Sequence, residues 1–342
     1  MRPSAFIRAF SVRIPASCRF SSSPVAPFPL PSAFHRWLRT ELAVLRRSTT
    51  HPHQSPSYTS AAWISQALDV AIAAQKTTAE SIARARGKAA VDDASLEDVF
   101  ELLDACNCLR ERMEAVRKYL ESMRVAAHCL SAGGCGPNEA AFARAEAALG
   151  ACEAMEQRRA ELEKCGSSLR KLGEKLAQDR EDVGADAGEL DEALSGSKAM
   201  ALLACGLLST ALSFKSKRGL PTATQCRGGQ CGSWSSLLHE LHKELKEEMD
   251  KRRKNGGVVL DELRAVVEAA QKLKVLIPRQ PENEMWKREI RAMVGELERN
   301  CSELEGGIKV FEEKLNELYR EMISIRVALL GLVSASESEM GE

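Results

Sequence analysis

The sequence predicts an all-α fold: a bundle of long antiparallel helices with a coiled-coil-like C-terminal helix and a disordered N-terminal leader. Three observations predict it. Ala, Leu, Glu, Lys and Arg dominate the 342 residues and aromatics make up only 5%, a mix that suits helices better than sheets. An unbroken apolar stripe runs Ile290, Val294, Leu297, Cys301, Leu304, Ile308, Phe311, Leu315, Leu318, Met322, Ile325, Leu329 and Leu332, in alternating steps of four and three. Shorter stripes of helical period fill the preceding chain, separated by Gly- and Pro-containing breaks.

Residues 1–31 read as a basic leader rich in Ser and Pro. Arg2, Arg8, Arg13 and Arg19, followed by Arg36 and Arg39, precede the first acid, Glu41. Pro15, Pro24, Pro27, Pro29 and Pro31 oppose regular structure there. The same acid-free, Arg- and Ser-rich composition marks organelle transit peptides, so an imported helical protein with a cleaved leader is an alternative. No apolar run precedes Arg13, which argues against a secretory signal.

A helical domain is expected over 32–335. Its first helix carries Phe34, Trp37, Leu38, Leu42 and Leu45 on one face and Arg36, Arg39, Arg46 and Arg47 on the other. Such a helix suits an anionic membrane surface, but Glu41 weakens the basic face and favours a place in the bundle. A loop over Ser48–Ser57 leads to a second helix, about Ser60 to Arg86, with Trp63, Ala67, Val70, Ala71 and Ala74 on its apolar face. Ser95-Leu96-Glu97-Asp98 resembles a capping box opening a third helix that runs to about Leu130. A fourth helix is expected from Asn138 to Lys164 and a short one over Ser168–Leu176, followed by an acidic loop, Asp179 to Gly188.

The most hydrophobic stretch lies within 198–215. Ala199, Leu202, Leu203, Leu207, Leu208, Leu212 and Phe214 mark a charge-free candidate membrane segment between Lys198 and the cluster Lys215, Lys217 and Arg218. It falls short of the roughly 20 residues that a bilayer core requires. Its small residues equally suit the centre of a bundle. If it inserts, the basic C-terminal flank faces the cytosol.

After a loop over Gly219–Gly232, a charged helix from Ser233 to Arg253 ends at Asn255-Gly256-Gly257. The next helix buries Leu260, Leu263, Val266, Val267 and Leu273, and Pro278 and Pro281 close it. The heptad helix occupies 283–333. A period of about 3.5 residues puts Leu304, Ile308, Phe311, Leu315, Leu318, Met322, Ile325 and Leu329 on one packing or partner seam. Heptads do not say whether they pair within or between chains; the other apolar faces of this chain favour an internal partner. Gly306-Gly307 predicts a bend or break. Residues 336–342 read as a flexible acidic tail.

Candidate chemistry is sparse. Cys226, Cys231, His239 and His242 supply four possible zinc ligands, but the spacing fits known sites only loosely. His239-Glu240-Leu241-His242 brings its second histidine one residue too early for a metalloprotease helix. Cys106 and Cys108 face different sides of one helix and form no redox pair. No phosphate loop, dinucleotide fingerprint or nucleophile elbow occurs, so neither cofactor nor small-molecule substrate is implied. Zero formal net charge gives no pull toward nucleic acid. The eleven cysteines, an odd number, favour reduced thiols.

Four segments carry a family resemblance: Phe34-His35-Arg36-Trp37-Leu38 through Leu45; Glu101-Leu102-Leu103-Asp104-Ala105-Cys106-Asn107; Ser197-Lys198-Ala199-Met200; and Leu260-Asp261-Glu262-Leu263 with Val266 and Val267. In their order the chain resembles the plant BYPASS-related family. The resemblance implies a developmental regulator without enzymatic activity, of a kind that restrains a root-derived mobile signal arresting shoot growth. It further implies protein partners, exocyst subunits among them, and a location at a membrane such as the endoplasmic reticulum or in the cytoplasm. An exocyst-linked helical adaptor without a membrane span is the alternative. The basic leader and the Gly/Cys-rich loop around Cys226 and Cys231 depart from the family pattern.

Overall fold

A computed structural model describes residues 32–47, 57–85, 93–131, 139–157, 163–182, 188–214, 219–221, 233–254, 257–279 and 284–340. The described residues form α1 (Ala33–Arg47), α2 (Ala61–Ala85), α3 (Asp93–Ser131), α4 (Glu139–Gln157), α5 (Glu163–Asp182), α6 (Glu189–Ala211), α7 (Trp234–Lys254), α8 (Asp261–Leu276), a 3-10 turn (Ile277–Arg279) and α9 (Glu284–Met340). The leader, 1–31, lies outside the described residues.

Four helices make the centre, and α2 and α3 each pack on both α6 and α9. Paired residue numbers give the directions. Lys76 meets Glu317 and Asp69 meets Lys314, so α2 and α9 run parallel. Arg117 meets Glu312 and Arg124 meets Glu305, so α3 and α9 are antiparallel. Gln75 reaches Ser197 and Thr78 reaches Ala193, which makes α2 and α6 antiparallel, while Asp98–Lys198 and Arg112–Ser209 make α3 and α6 parallel. Around this square, α4 folds back on α3, α8 lies against α9, α5 covers α6, and α1 sits against α6 and α7.

The amphipathic stripes decide which faces turn inward. The face of α1 that carries Phe34, Leu38, Leu42 and Leu45 is buried, so this helix belongs to the bundle. On α9 every seam residue from Leu304 to Leu329 is at most 1% exposed and lies against the chain's own helices. Its 57 residues form one unbroken helix, roughly 85 Å long at 1.5 Å per residue. No break interrupts the helix at Gly306-Gly307. Gly307 instead faces α2, where a Cβ would come 3.0 Å from that of Ala61. Packing on the seam carries the helix through Gly306-Gly307, and the missing side chain at Gly307 admits the neighbour.

Other boundaries differ from expectation. The α9 backbone stays helical to Met340, where a flexible tail from 336 is expected. The expected single helix Asn138–Lys164 ends at Gln157; α5 begins at Glu163 and runs to Asp182, consuming part of the expected acidic loop. Gly257, at φ 90°, occupies the left-handed region between α7 and α8, as the break at Asn255-Gly256-Gly257 requires. α8 in turn holds the start of α2: both carboxylate oxygens of Glu262 accept from the Ala61 N–H, at 2.9 and 3.1 Å, and Thr59 Oγ1 donates to Asp261 at 2.9 Å.

Gly196 marks the closest approach of α1 to α6. A Cβ there would lie 2.4 Å from Phe34 Cε1 and 3.1 Å from Leu38 Cδ2. Gly196→Val is therefore expected to destabilise the protein by about 1–3 kcal/mol and to loosen α1. A urea titration with limited proteolysis checks this: the midpoint should fall, and cleavage between α1 and α2 should rise.

Candidate functional site

The candidate membrane segment is the core of the molecule. α6 begins at Glu189, ten residues before Ala199, because Glu189, Asp191 and Glu192 form a favourable acidic first turn and Asp191 accepts from the Gly188 N–H at 3.3 Å. The resulting 23-residue helix is long and apolar enough to cross a bilayer, yet 94% of its most apolar 18-residue window is buried in the bundle. Ala199, Leu202, Leu203, Leu207, Leu208, Leu212 and Phe214 are each at most 5% exposed. The Phe214 ring meets Tyr119 of α3 at 4.6 Å between centroids.

Polar groups ring this helix, each with a partner on a neighbouring element. Lys198, 8% exposed, donates to Asp98 Oδ2 at 2.8 Å and to Ser95 Oγ at 3.0 Å. Lys175 of α5 sits 2.8 Å from the other Asp98 oxygen. α3 begins at Asp93, so Ser95 and Asp98 lie inside the helix, and both face Lys198 in a buried ion cluster. Gln75 Nε2 donates to the Ser197 carbonyl and Thr78 Oγ1 to that of Ala193, both at 3.0 Å. At the other end the buried Arg112 guanidinium donates to the Ser209 carbonyl, to Ser209 Oγ at 2.9 Å and to Ser213 Oγ at 3.1 Å. A cation suits that place, near the helix's negative end. The Cys205 thiol, pushed well up by its hydrogen bond with Cys106 and by burial, stays protonated between α6 and α3.

A second cluster ties α1 and α7 to the start of α6. Ser32 Oγ donates to Glu192 at 2.6 Å, His35 Nδ1 lies 2.7 Å from the same carboxylate, and Trp234 Nε1 donates to it at 3.3 Å. Burial would raise the Glu192 pKa, but the hydrogen bonds from Ser32, His35 and Trp234 together hold it below the usual carboxylate value.

Of the four possible zinc ligands, the structure describes only His239 and His242. Cys226 and Cys231 lie outside the described residues. His242 is buried, and its Nε2 donates to the Pro221 carbonyl at 2.9 Å; His239 is half-buried. Among the described residues no three His, Cys, Asp or Glu side chains converge as metal ligands would. Pro221 itself rests on Gly206, where a Cβ would come 2.6 Å from its ring. His242 thus pins a loop onto α6.

Burial holds the His242 pKa below the ordinary imidazole value, despite the carbonyl that accepts from it. Below about pH 6.5 the unfolded chain takes up a proton that the folded one refuses, so stability is expected to fall as the pH falls. Depressed Glu192 extends the loss, because its contribution is present above the usual carboxylate pKa and disappears as the pH drops through the folded value. Urea midpoints at pH 7.5 and 5.5 test this, and His242→Gln should shrink the difference between them.

Sequence reasoning missed Asp98, Arg112, Gln75 and Glu192 as core anchors. Lys198 was visible only as a boundary. The one available signal was a set of charged or amide side chains at apolar positions of helical stripes. Three of the four resemblance segments coincide with helix junctions: Phe34 on Gly196, Lys198 on Asp98, and Asp261-Glu262 on the start of α2. In the remaining one Cys106 faces Cys205.

These features define a helical-bundle protein whose central apolar helix is enclosed by its own chain. The family model described as Protein BPS1 matches residues 72–331, from within α2 to the end of the α9 seam, and the chain belongs to that family. The family is not generally known for enzymes. α1 lies outside the matched range. No curated protein and no solved structure matches the chain.

Proposed function

We propose that this chain is a non-enzymatic regulator of plant development, acting through protein contacts at or near a membrane to restrain a root-derived mobile signal. Membership of the BPS1 family from α2 through α9 is the observation that carries this reading. The enclosure of α6 refines it. Taking that helix into lipid would strand Asp98, Arg112 and Gln75 without partners, so attachment to a membrane is peripheral or mediated by another protein. Grafting tests the function: expression in roots that lack the endogenous protein should relieve shoot arrest, and persistent arrest with normal protein levels would sink the reading. Carbonate extraction tests the mode of attachment. Release into the supernatant is expected, and retention in the pellet would overturn the peripheral account.

A second reading, an exocyst-linked tethering adaptor, is favoured by the outer side of α9. Ile323, Val327 and Leu330, at 40%, 64% and 46% exposed, follow i, i+4, i+7 spacing near the end of the long helix, a spacing that suits a partner helix. Recovery of exocyst subunits by the wild-type chain, and their loss with Val327→Glu, is the expected result. The organelle-import alternative concerns the leader alone, and sequencing the mature N-terminus decides it.

A further inference from the structure

The long helix α9 changes character along its length. From Lys309 to Glu321 it carries seven charged residues; from Met322 to Ser334 it carries one, Arg326. That single charge is turned aside, with its guanidinium 5.1 Å from the ring centre of Phe100 on α3. The heptad that buries Met322, Ile325 and Leu329 puts Arg320, Val327 and Ser334, seven residues apart, on the line opposite the seam. Ile323 and Leu330 flank that line on the side of α3, which Arg110 marks by donating to Asn316, seven residues before Ile323. Ser324 and Gly331 flank it on the side of α2, which Lys76 marks at Glu317. Both are exposed, and a Cβ at Gly331 would meet nothing within 4 Å. The pattern is symmetric about Val327. Reversing the direction of the helix exchanges Ile323 with Leu330 and Ser324 with Gly331, and brings Arg320 to the place of Ser334.

We propose that this tract is a homodimer surface, on which a second copy of the chain lays its own α9 antiparallel across Val327. A two-fold axis there sets Val327 against the partner's Val327. Ile323 meets the partner's Leu330 twice over, and the two apolar pairs lie on the flank that each Phe100 borders. On the opposite flank Ser324 meets the partner's Gly331, and side chains this small let the helices approach closely. Charge fixes the direction. A parallel pair would oppose Arg320 to its own copy, whereas the antiparallel pair opposes it to Ser334. The helix of an unrelated protein would cover the same apolar side chains, but it would not require the tract to match its own reverse. The matched tract spans about four turns of helix, which suits a reversible dimer rather than an obligate one. Dimerisation of this kind goes beyond the regulatory function proposed for the chain and does not depend on it.

Sedimentation velocity of the purified full-length chain across roughly 1–100 µM tests this. A monomer–dimer equilibrium is expected. Val327→Glu and Val327→Lys should each raise the dissociation constant at least about tenfold, because like charges then face each other across the axis. Melting should not change, since the Val327 side chain stands in solvent in the monomer. An equal mixture of the two variants should dimerise again, because opposite charges then meet at the axis. Ile323→Glu mixed with Leu330→Lys should likewise associate more tightly than either variant alone, since antiparallel pairing brings those two positions together. A wild-type chain that stays monomeric over the whole range, a dimer indifferent to Val327→Glu, or mixtures that remain monomeric would each overturn the proposal. Loss of exocyst recovery with Val327→Glu from a wild-type chain that is itself monomeric would also overturn it, and would assign the tract to a tethering partner.

Discussion

Lysine at both Leu207 and Leu208 should abolish folding of the whole protein. Both side chains are 0% exposed in the last two turns of α6, with α2 and α3 packed against that helix. An unpaired ammonium at such a site costs several kcal/mol even after relaxation, and two approach the total of about 5–15 kcal/mol that holds a domain together. The expected result is loss of the cooperative thermal transition, with aggregation or rapid proteolysis in cells. Leu207→Ala should retain the fold at a cost of about 2–5 kcal/mol. A double-lysine chain that melts like wild type would mean that α6 is not the core. The same double variant cannot diagnose membrane insertion, since its loss from a membrane pellet would report unfolding.

Asp98→Ala should be the most damaging single substitution of a polar residue, at about 3–5 kcal/mol. It removes the carboxylate, 1% exposed, that faces Lys198 at 2.8 Å, and it leaves that ammonium between α3 and α6. The Lys175 side chain, 35% exposed, can turn toward water; the buried Lys198 side chain cannot. The distinguishing measurement is the double substitution Asp98→Ala/Lys198→Met, which removes both charges and should recover most of the loss. Urea unfolding of the two single variants and the double closes the cycle; strictly additive effects would show that the pair is not coupled. Arg124→Ala, which breaks an exposed pair with Glu305, serves as the contrast and should cost no more than about 1 kcal/mol.

That contrast assigns roles to the two kinds of charge in the molecule. Pairs along α9, such as Lys76–Glu317 and Arg117–Glu312, lie beside the seam at the surface, where screening leaves little net energy. They favour one register of α2 and α3 on the long helix. The buried Asp98–Lys198 pair, the Arg112 contacts and the Gln75 bond to Ser197 instead make α6 specific to this bundle, since each group left alone there would be costly.

The sequence by itself determined the helices, the stripe of α9 and the buried face of α1, because helical periodicity is local and repeats every three or four residues. It also placed the chain in its family through segments that prove to be mostly helix junctions. Tertiary structure alone decided the rest. An apolar run such as Ala199–Phe214 has one composition and two possible solvents, and only the presence of α2, α3 and α5 around it selects protein. Ser95 and Asp98 have the spacing of a cap, but their partner Lys198 lies about one hundred residues away, beyond any local pattern. Gly306-Gly307 carries the signal of a break, yet continuous burial of the seam on both sides of it outweighs the local preference for disorder. His242 reads in the sequence as a possible zinc ligand, and only the fold sets its Nε2 against the Pro221 carbonyl. In each case local chemistry permits several states, and contacts between residues distant in sequence remove all but one.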